Sequence, residues 1–184
     1  MLSRDEALKL VESHVSKRNW IYHMLAVEAI MRGLAEHFGE DVEEWGLVGL
    51  LHDVDFGVTE KEAGRHGLEA EKILRGRVSE KMVKAIKAHN YEHTGVKPES
   101  LMEKALISSD ALSGLIIASA LVMPSRRMEE VTVETLAKKF KQKDFAKGAD
   151  RERIRLYEIM GVPRDKFFEL ALDSLKKISQ SIGL

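Results

Sequence analysis

Apolar side chains in this chain return at steps of three and four residues and almost never at steps of two. Met24, Val27, Ile30, Met31, Leu34 and Phe38 lay one stripe along a single helix face. Period-two alternation bounded by hairpin turns is nearly absent, so the pattern predicts an all-α fold. The punctuation agrees. Ser3 and Glu6 have the spacing of a capping box and open a helix expected to run to about Lys17. Asn19 is placed to cap the second helix, which Gly39 ends, and Asp41 with Glu44 restarts the chain into Trp45–Asp53. A loop holding Gly57 and Gly64 precedes helices at Leu68–Leu74 and Ser79–His89. A long helix is expected over Leu101–Met123, stopped by Pro124, followed by Asp150–Met160 and Asp165–Ile182.

The chain has 184 residues, the size of one domain, so 1–184 reads as a single unit with a motif region at 19–123 and a helical extension at 125–184. Residues Arg126 to Gly148 shift toward charge and have the composition of a linker, but the roughly sixty residues that follow Met123 are few for an independent core. They are expected to pack on the rest. The absence of cysteine excludes a disulfide scaffold, a thiolate metal site and a cysteine nucleophile. Lys and Arg total 29 against 30 for Asp and Glu, a balance that makes nucleic acid an unlikely partner and argues against a polybasic membrane anchor. The charged start Ser3-Arg4-Asp5-Glu6 is unlike a signal peptide, and the least polar stretch, Leu112 to Met123, falls short of the ~20 residues of a membrane span. A cytoplasmic location is the expectation; oligomeric state is not indicated.

Function is suggested by polar residues that fall on apolar faces. His23 shares its helical face with Val27, Ile30 and Leu34, and His89 shares its face with Met82, Ala85 and Ile86. Asp110 aligns with Leu106, Ile107 and Ile117, and His52-Asp53 closes the apolar run Gly46–Leu51. An inward carboxylate costs several kcal/mol unless its charge is compensated. Each has a plain structural reading: a core histidine bonded to a carbonyl, an acid paired with an arginine, a helix terminus, or a cap in the case of His66. Together they would require several unrelated buried polar sites in one small core, and a shared cation explains them more simply.

The ordered set His23, His52-Asp53 and Asp110, with the doublet inside Gly49-Leu50-Leu51-His52-Asp53-Val54-Asp55, resembles the H…HD…D signature of the HD-domain superfamily of metal-dependent phosphohydrolases. The resemblance covers residues 19–123 and is nearest to small stand-alone HD proteins described as predicted hydrolases. It extends in flavour, without implied chemistry, to the tail from Phe140 to Glu152. It implies an HD-like helical bundle with the metal in its core. Arg65-His66-Gly67-Leu68-Glu69-Ala70 and Ala88-His89-Asn90 match the additional histidines of two-metal members. By this resemblance His23, His52, Asp53 and Asp110 hold a first ion, and Asp53 bridges to a second held by His66 and His89. His93 is a further candidate for that second sphere. No Gly-Tyr-Pro triplet is present, which disfavours the cyclic-dinucleotide phosphodiesterase branch.

Imidazole with carboxylate suits one or two ions of Mn, Fe, Co, Ni or Zn better than Mg. The implied activity is hydrolysis of a phosphate mono- or diester, with a nucleotide as the expected small substrate and Asp53 and His52 as the residues at the chemistry. Arg65 and Lys61 are candidates to steer the phosphate, or are solvated loop charges. Asp55 is placed to orient a ligand histidine or a water, or is a turn residue. Two other readings use the same residues: a di-iron oxygenase, and a non-catalytic helical module that binds a nucleotide or a partner helix.

Overall fold

The computed structural model describes residues 2–184, and among these the regular structure is entirely helical. In chain order the helices are α1 (Arg4–His14), α2 (Arg18–Phe38), α3 (Val42–Leu51), α4 (Phe56–Thr59), α5 (Leu68–Leu74) and α6 (Glu80–His89). They continue with α7 (Tyr91–Thr94), α8 (Leu101–Leu121), α9 (Val133–Lys141), α10 (Arg151–Ile154), α11 (Leu156–Ile159) and α12 (Arg164–Ile178). Short 3₁₀ turns occupy Met128–Glu130 and Ser179–Ile182. The all-α expectation holds.

Two 21-residue helices organise the rest. α2 packs on α3, α8 and α12, while α8 packs on α2, α6, α9, α10 and α11. The caps read from sequence are formed in three places: Ser3 and Glu6 bond reciprocally, Asp41 accepts from the Glu44 N–H, and Ser79 accepts from the Met82 N–H. Other boundaries differ. α1 ends at His14 because Val15 turns extended and buries itself. α2 starts one residue ahead of Asn19, after Lys17, without a side-chain cap. α3 stops at Leu51, which leaves His52 as its cap and Asp53 in the turn beyond. The glycine-containing loop includes the single turn α4, and the charged stretch 126–148 contains α9, capped by Thr132. The expected helix over 150–160 is two single turns joined at Arg155.

α8 is long and apolar enough to cross a membrane by length and composition, longer than the stretch that sequence reading singled out. Its setting explains its hydropathy: 67% of that apolar window is buried inside the protein, as in the central helix of a bundle.

The C-terminal elements lie directly on this frame. Phe167 and Phe168 of α12 are fully buried, Phe168 edge-on to Phe140 of α9 and to Tyr157 of α11. The irregular segment between α9 and α10 is held by one side chain. Arg151 donates to the carbonyls of Lys139, Phe140, Gln142, Phe145, Ala146 and Ala149 at 2.6–3.3 Å. Three of these carbonyls also accept turn N–H groups, and the guanidinium supplies the remaining donors that a regular element would have provided.

α3 crosses α2 backbone to backbone. A Cβ added at Gly49 would stand 2.8 Å from both the N and Cα of Glu28, so only glycine allows the crossing. Glu28 is itself 3% exposed, and its carboxylate is satisfied by Arg4 of α1 at 2.7 and 3.0 Å and by Arg32 at 3.1 Å. Arg32 in turn makes a two-pronged bond to Glu43 of α3. Three helices are thereby locked just beneath His52. The substitution Gly49→Ala must push α3 off α2 and is expected to cost about 1–3 kcal/mol, read as a lower urea midpoint with unchanged slope. An unchanged midpoint would show that the two helices separate without penalty.

Candidate metal centre

Five separate segments deliver the site. His23 projects from α2, His52 and Asp53 follow α3, and His66 sits in the turn before α5. His89 ends α6, and Asp110 lies midway along α8. Their functional atoms meet around Asp53. One carboxylate oxygen, Oδ2, lies 3.7 Å from His23 Nε2 and 3.5 Å from His52 Nε2. The other, Oδ1, lies 3.3 Å from His66 Nε2 and 3.4 Å from His89 Nε2. Asp110 Oδ1 joins the first group, 3.1 Å from His23 Nε2 and 3.9 Å from His52 Nε2. The side chains therefore form two ligand groups sharing one carboxylate, His23–His52–Asp53 and Asp53–His66–His89, each compact enough to surround an ion.

The opposite face of every imidazole is held by an oxygen. His52 Nδ1 donates to the Gly49 carbonyl at 2.8 Å, and His89 Nδ1 donates to the Ile86 carbonyl. His66 Nδ1 faces Asp55 Oδ1 at 2.9 Å. Ser113 gives its hydroxyl proton to the Asp110 carbonyl and so accepts from His23 Nδ1 at 3.2 Å. Each ring is thus anchored through Nδ1 with its Nε2 aimed inward, where it can serve as a ligand once any second proton is lost. Two such pairs of atoms nearly touch, His23 with His52 at 3.2 Å and His66 with His89 at 2.8 Å. Ring nitrogens this close to one another and to carboxylates need positive charge among them, from a proton or a metal cation. The donor set thus fits divalent cations of the imidazole-binding kind.

The acid–base balance expresses the same demand. Burial pushes His52 down to about 4, which keeps it unprotonated and available as a ligand. Burial opposes protonation of His66 as well, but the facing carboxylates of Asp53 and Asp55 outweigh it and push that ring up to about 10. Asp53 is held well below the usual carboxylate range: burial alone would raise it, but the surrounding imidazoles, His52 foremost, prevail. Asp55 is fully buried and supports the second group, with Oδ2 accepting the N–H groups of Gly67 and Ala70 at 2.8 and 3.0 Å. It ties the turn that carries His66 to the turn that follows Asp53. Sequence reading left its role open between orientation and a turn; the contacts select orientation.

Exposure is graded across the centre. His52 is sealed and His89 nearly so, whereas about a quarter of the His23 and Asp110 side chains is open. These two border a cavity of about 500 Å³ whose other walls are Ala111 and Gly114 of α8, Glu92 of α7 and residues of the segment 146–153. The remaining sequence candidates stand outside. His93 is exposed and bonds Asn90 Oδ1 at 3.0 Å, away from both ligand groups. Arg65 turns to Glu62 and Glu69, and Lys61 is exposed in the loop; neither borders the cavity. The cation that does border it is Arg153. Sequence reading noted its tail without assigning it chemistry, and its alternation with Arg151 in Asp150-Arg151-Glu152-Arg153 was the available signal.

Removing one histidine separates the two groups. His66→Ala is expected to lower the bound metal from two ions per chain to one, measured by elemental analysis after dialysis against Mn²⁺. Retention of two ions would show that His66 is a structural histidine.

The profile of the HD domain matches residues 20–115, just over half of the chain. Ribonuclease Y of Pseudothermotoga lettingae is 28% identical over 176 residues, which cover 90% of this chain and 33% of that protein. Ribonuclease Y of Thermosipho melanesiensis is 29% identical over 86% of this chain and 30% of its own length. That of Geobacter sulfurreducens is 34% identical over 53% of this chain and 18% of its own. The chain spans about a third of the length of the first two of these curated relatives. No solved structure matches it. These names correct the expectation, drawn from charge balance, that nucleic acid is an unlikely partner. Net charge averages over the whole surface, whereas a phosphate responds to the charge within a few ångströms. With its motif region matched and its histidines and aspartates gathered as described, the chain belongs to the HD-domain family of metal-dependent phosphohydrolases.

Proposed function

We propose that this chain hydrolyses a phosphodiester bond of RNA with water as the nucleophile. The observation that carries the reading is Asp53, whose two oxygens face separate histidine groups beside an open cavity. His23, His52, Asp53 and Asp110 would hold one ion, and Asp53, His66 and His89 a second. Such ions, when bound, supply Lewis acidity that lowers the pKa of water and neutralises charge on a phosphate. RNA as the substrate class is supported by the names of the relatives that match nearly the whole chain.

The protein's own contribution is arrangement. Sealed His52 and His89 keep the inner side of the centre dry. The more open His23 and Asp110 present the edge that a phosphate can reach, so the ester enters from the α8 side and not from the α5 side. Oxygen acceptors on the Nδ1 atoms of all four histidines hold the rings in place as charge develops nearby. No serine, threonine or cysteine is needed as a nucleophile, and the chain contains no cysteine.

The test is turnover of a labelled single-stranded RNA by the Mn²⁺-loaded chain, with DNA of the same sequence and a simple aryl phosphate as comparators. Cleavage of RNA in preference to both is expected. Asp53→Ala should lose metal and lower the rate by about 10²–10³-fold or more, the scale of removing a group that stabilises transition-state charge. Oxygen uptake by the iron-loaded chain without phosphate-ester cleavage would replace this reading with an oxygenase. Full metal retention in Asp53→Ala would remove the shared carboxylate from the scheme.

A further inference from the structure

We propose that Arg153, carried by the C-terminal segment, is the phosphate-binding side chain of this site. The proposal rests on the phosphate-ester reading above and assigns to it a residue outside the HD-domain match. Arg153 is the single cation among the side chains that border the 500 Å³ cavity, which it shares with His23 and Asp110. Phosphate brought to the exposed edge of the metal centre therefore meets this guanidinium and no other.

Its setting favours binding over a purely structural role. A guanidinium has five N–H donors, and this one gives a single hydrogen bond to protein, from Nη1 to the His89 carbonyl at 3.1 Å. That bond fixes it to the residue that ends α6 and faces Asp53. The plane of the group is steadied by the ring of Tyr91, 5.3 Å away. The nearest carboxylate, Glu92, stands at 3.6 Å from Nη2, beyond hydrogen-bonding range, and is itself more than half exposed. Such a contact is weak and yields readily to a phosphate. Arg153 also differs sharply from its neighbour Arg151, whose donors are taken by six carbonyls.

The cavity has room for the ligand. Its walls include Ala111, Gly114, Ala146, Gly148 and Ala149, small residues that leave the guanidinium reachable. A Cβ added at Gly114 or Gly148 would meet nothing within 4 Å. Asp150 and Glu92 also border the cavity, but the Asp150 carboxylate is turned back to accept from the N–H groups of Glu152 and Arg153.

The experiment uses the full chain loaded with Mn²⁺, as wild type, Arg153→Gln and Glu92→Gln, with metal content and thermal midpoint recorded for each. Inorganic phosphate is titrated calorimetrically, and KM and kcat are measured on single-stranded RNA. Arg153→Gln is expected to weaken phosphate and raise KM by about 10–100-fold, with kcat changed less than about threefold and two ions retained. Glu92→Gln removes the competing carboxylate and is expected to tighten phosphate two- to fivefold, roughly the value of one exposed ion pair. If Arg153→Gln fails to fold, the Glu92→Gln titration decides alone, and unchanged affinity there overturns the proposal. Wild-type phosphate affinity in folded Arg153→Gln also overturns it. Arg153-dependent phosphate binding by a chain that cleaves no RNA sustains this site while removing the RNA reading.

Discussion

Four imidazoles aim their Nε2 atoms at one buried aspartate and crowd one another in two pairs, and the rest of the molecule is built to hold them there. Each ring has its Nδ1 tied to an oxygen acceptor, two of them main-chain carbonyls, so no ring can turn to relieve the crowding. So many buried polar groups cannot be assembled by local structure alone, because each loses its hydration and must find its partners on other helices. The frame therefore has to be stiff where they meet. Gly49 against the Glu28 backbone provides contact without intervening side chains, and the Arg4–Glu28–Arg32–Glu43 chain of ion pairs clamps three helices at that level. Stability in the scaffold is thereby exchanged for a centre that accepts cations.

The sequence made most of this centre legible because helical periodicity reports direction. His23, His89 and Asp110 fall on stripes of apolar residues, and a polar group on such a stripe must point inward wherever the helix lies. His66 was readable only through resemblance to known two-metal proteins, since it sits in a turn where periodicity says nothing. His93 illustrates the opposite limit. One turn after His89 is the right spacing on a continuous helix, but α6 ends at His89 and the chain bends through Asn90 before α7 begins, which carries His93 away.

Arg65, Lys61 and Arg153 show why the substrate side is harder to read than the metal side. Proximity in sequence to the His-Asp doublet favoured the first two, but Arg65 is drawn to Glu62 and Glu69 on its own short loop and helix. Arg153 reaches the centre from 64 residues beyond His89 through packing of α10 on α8, a contact with no local signature. Long-range docking of a short charged segment is set by tertiary complementarity and leaves little trace in residue order. α9 was masked differently: its lysines suggested a linker, although Leu136 on its apolar face is fully buried.

The six carbonyls gathered by Arg151 carry a consequence for how this protein tolerates variation. Because the bonds are to main chain, the loop from Lys139 to Ala149 keeps its course irrespective of most side chains it displays. Shape and surface are thus encoded separately: one arginine downstream sets the path, while the loop residues remain free to change. Ala146, Gly148 and Ala149 face the cavity from that loop. Ala146 holds a positive φ that bulkier side chains resist, but a side chain added at Gly148 meets nothing, so the pocket wall can be reshaped there without unmaking the fold.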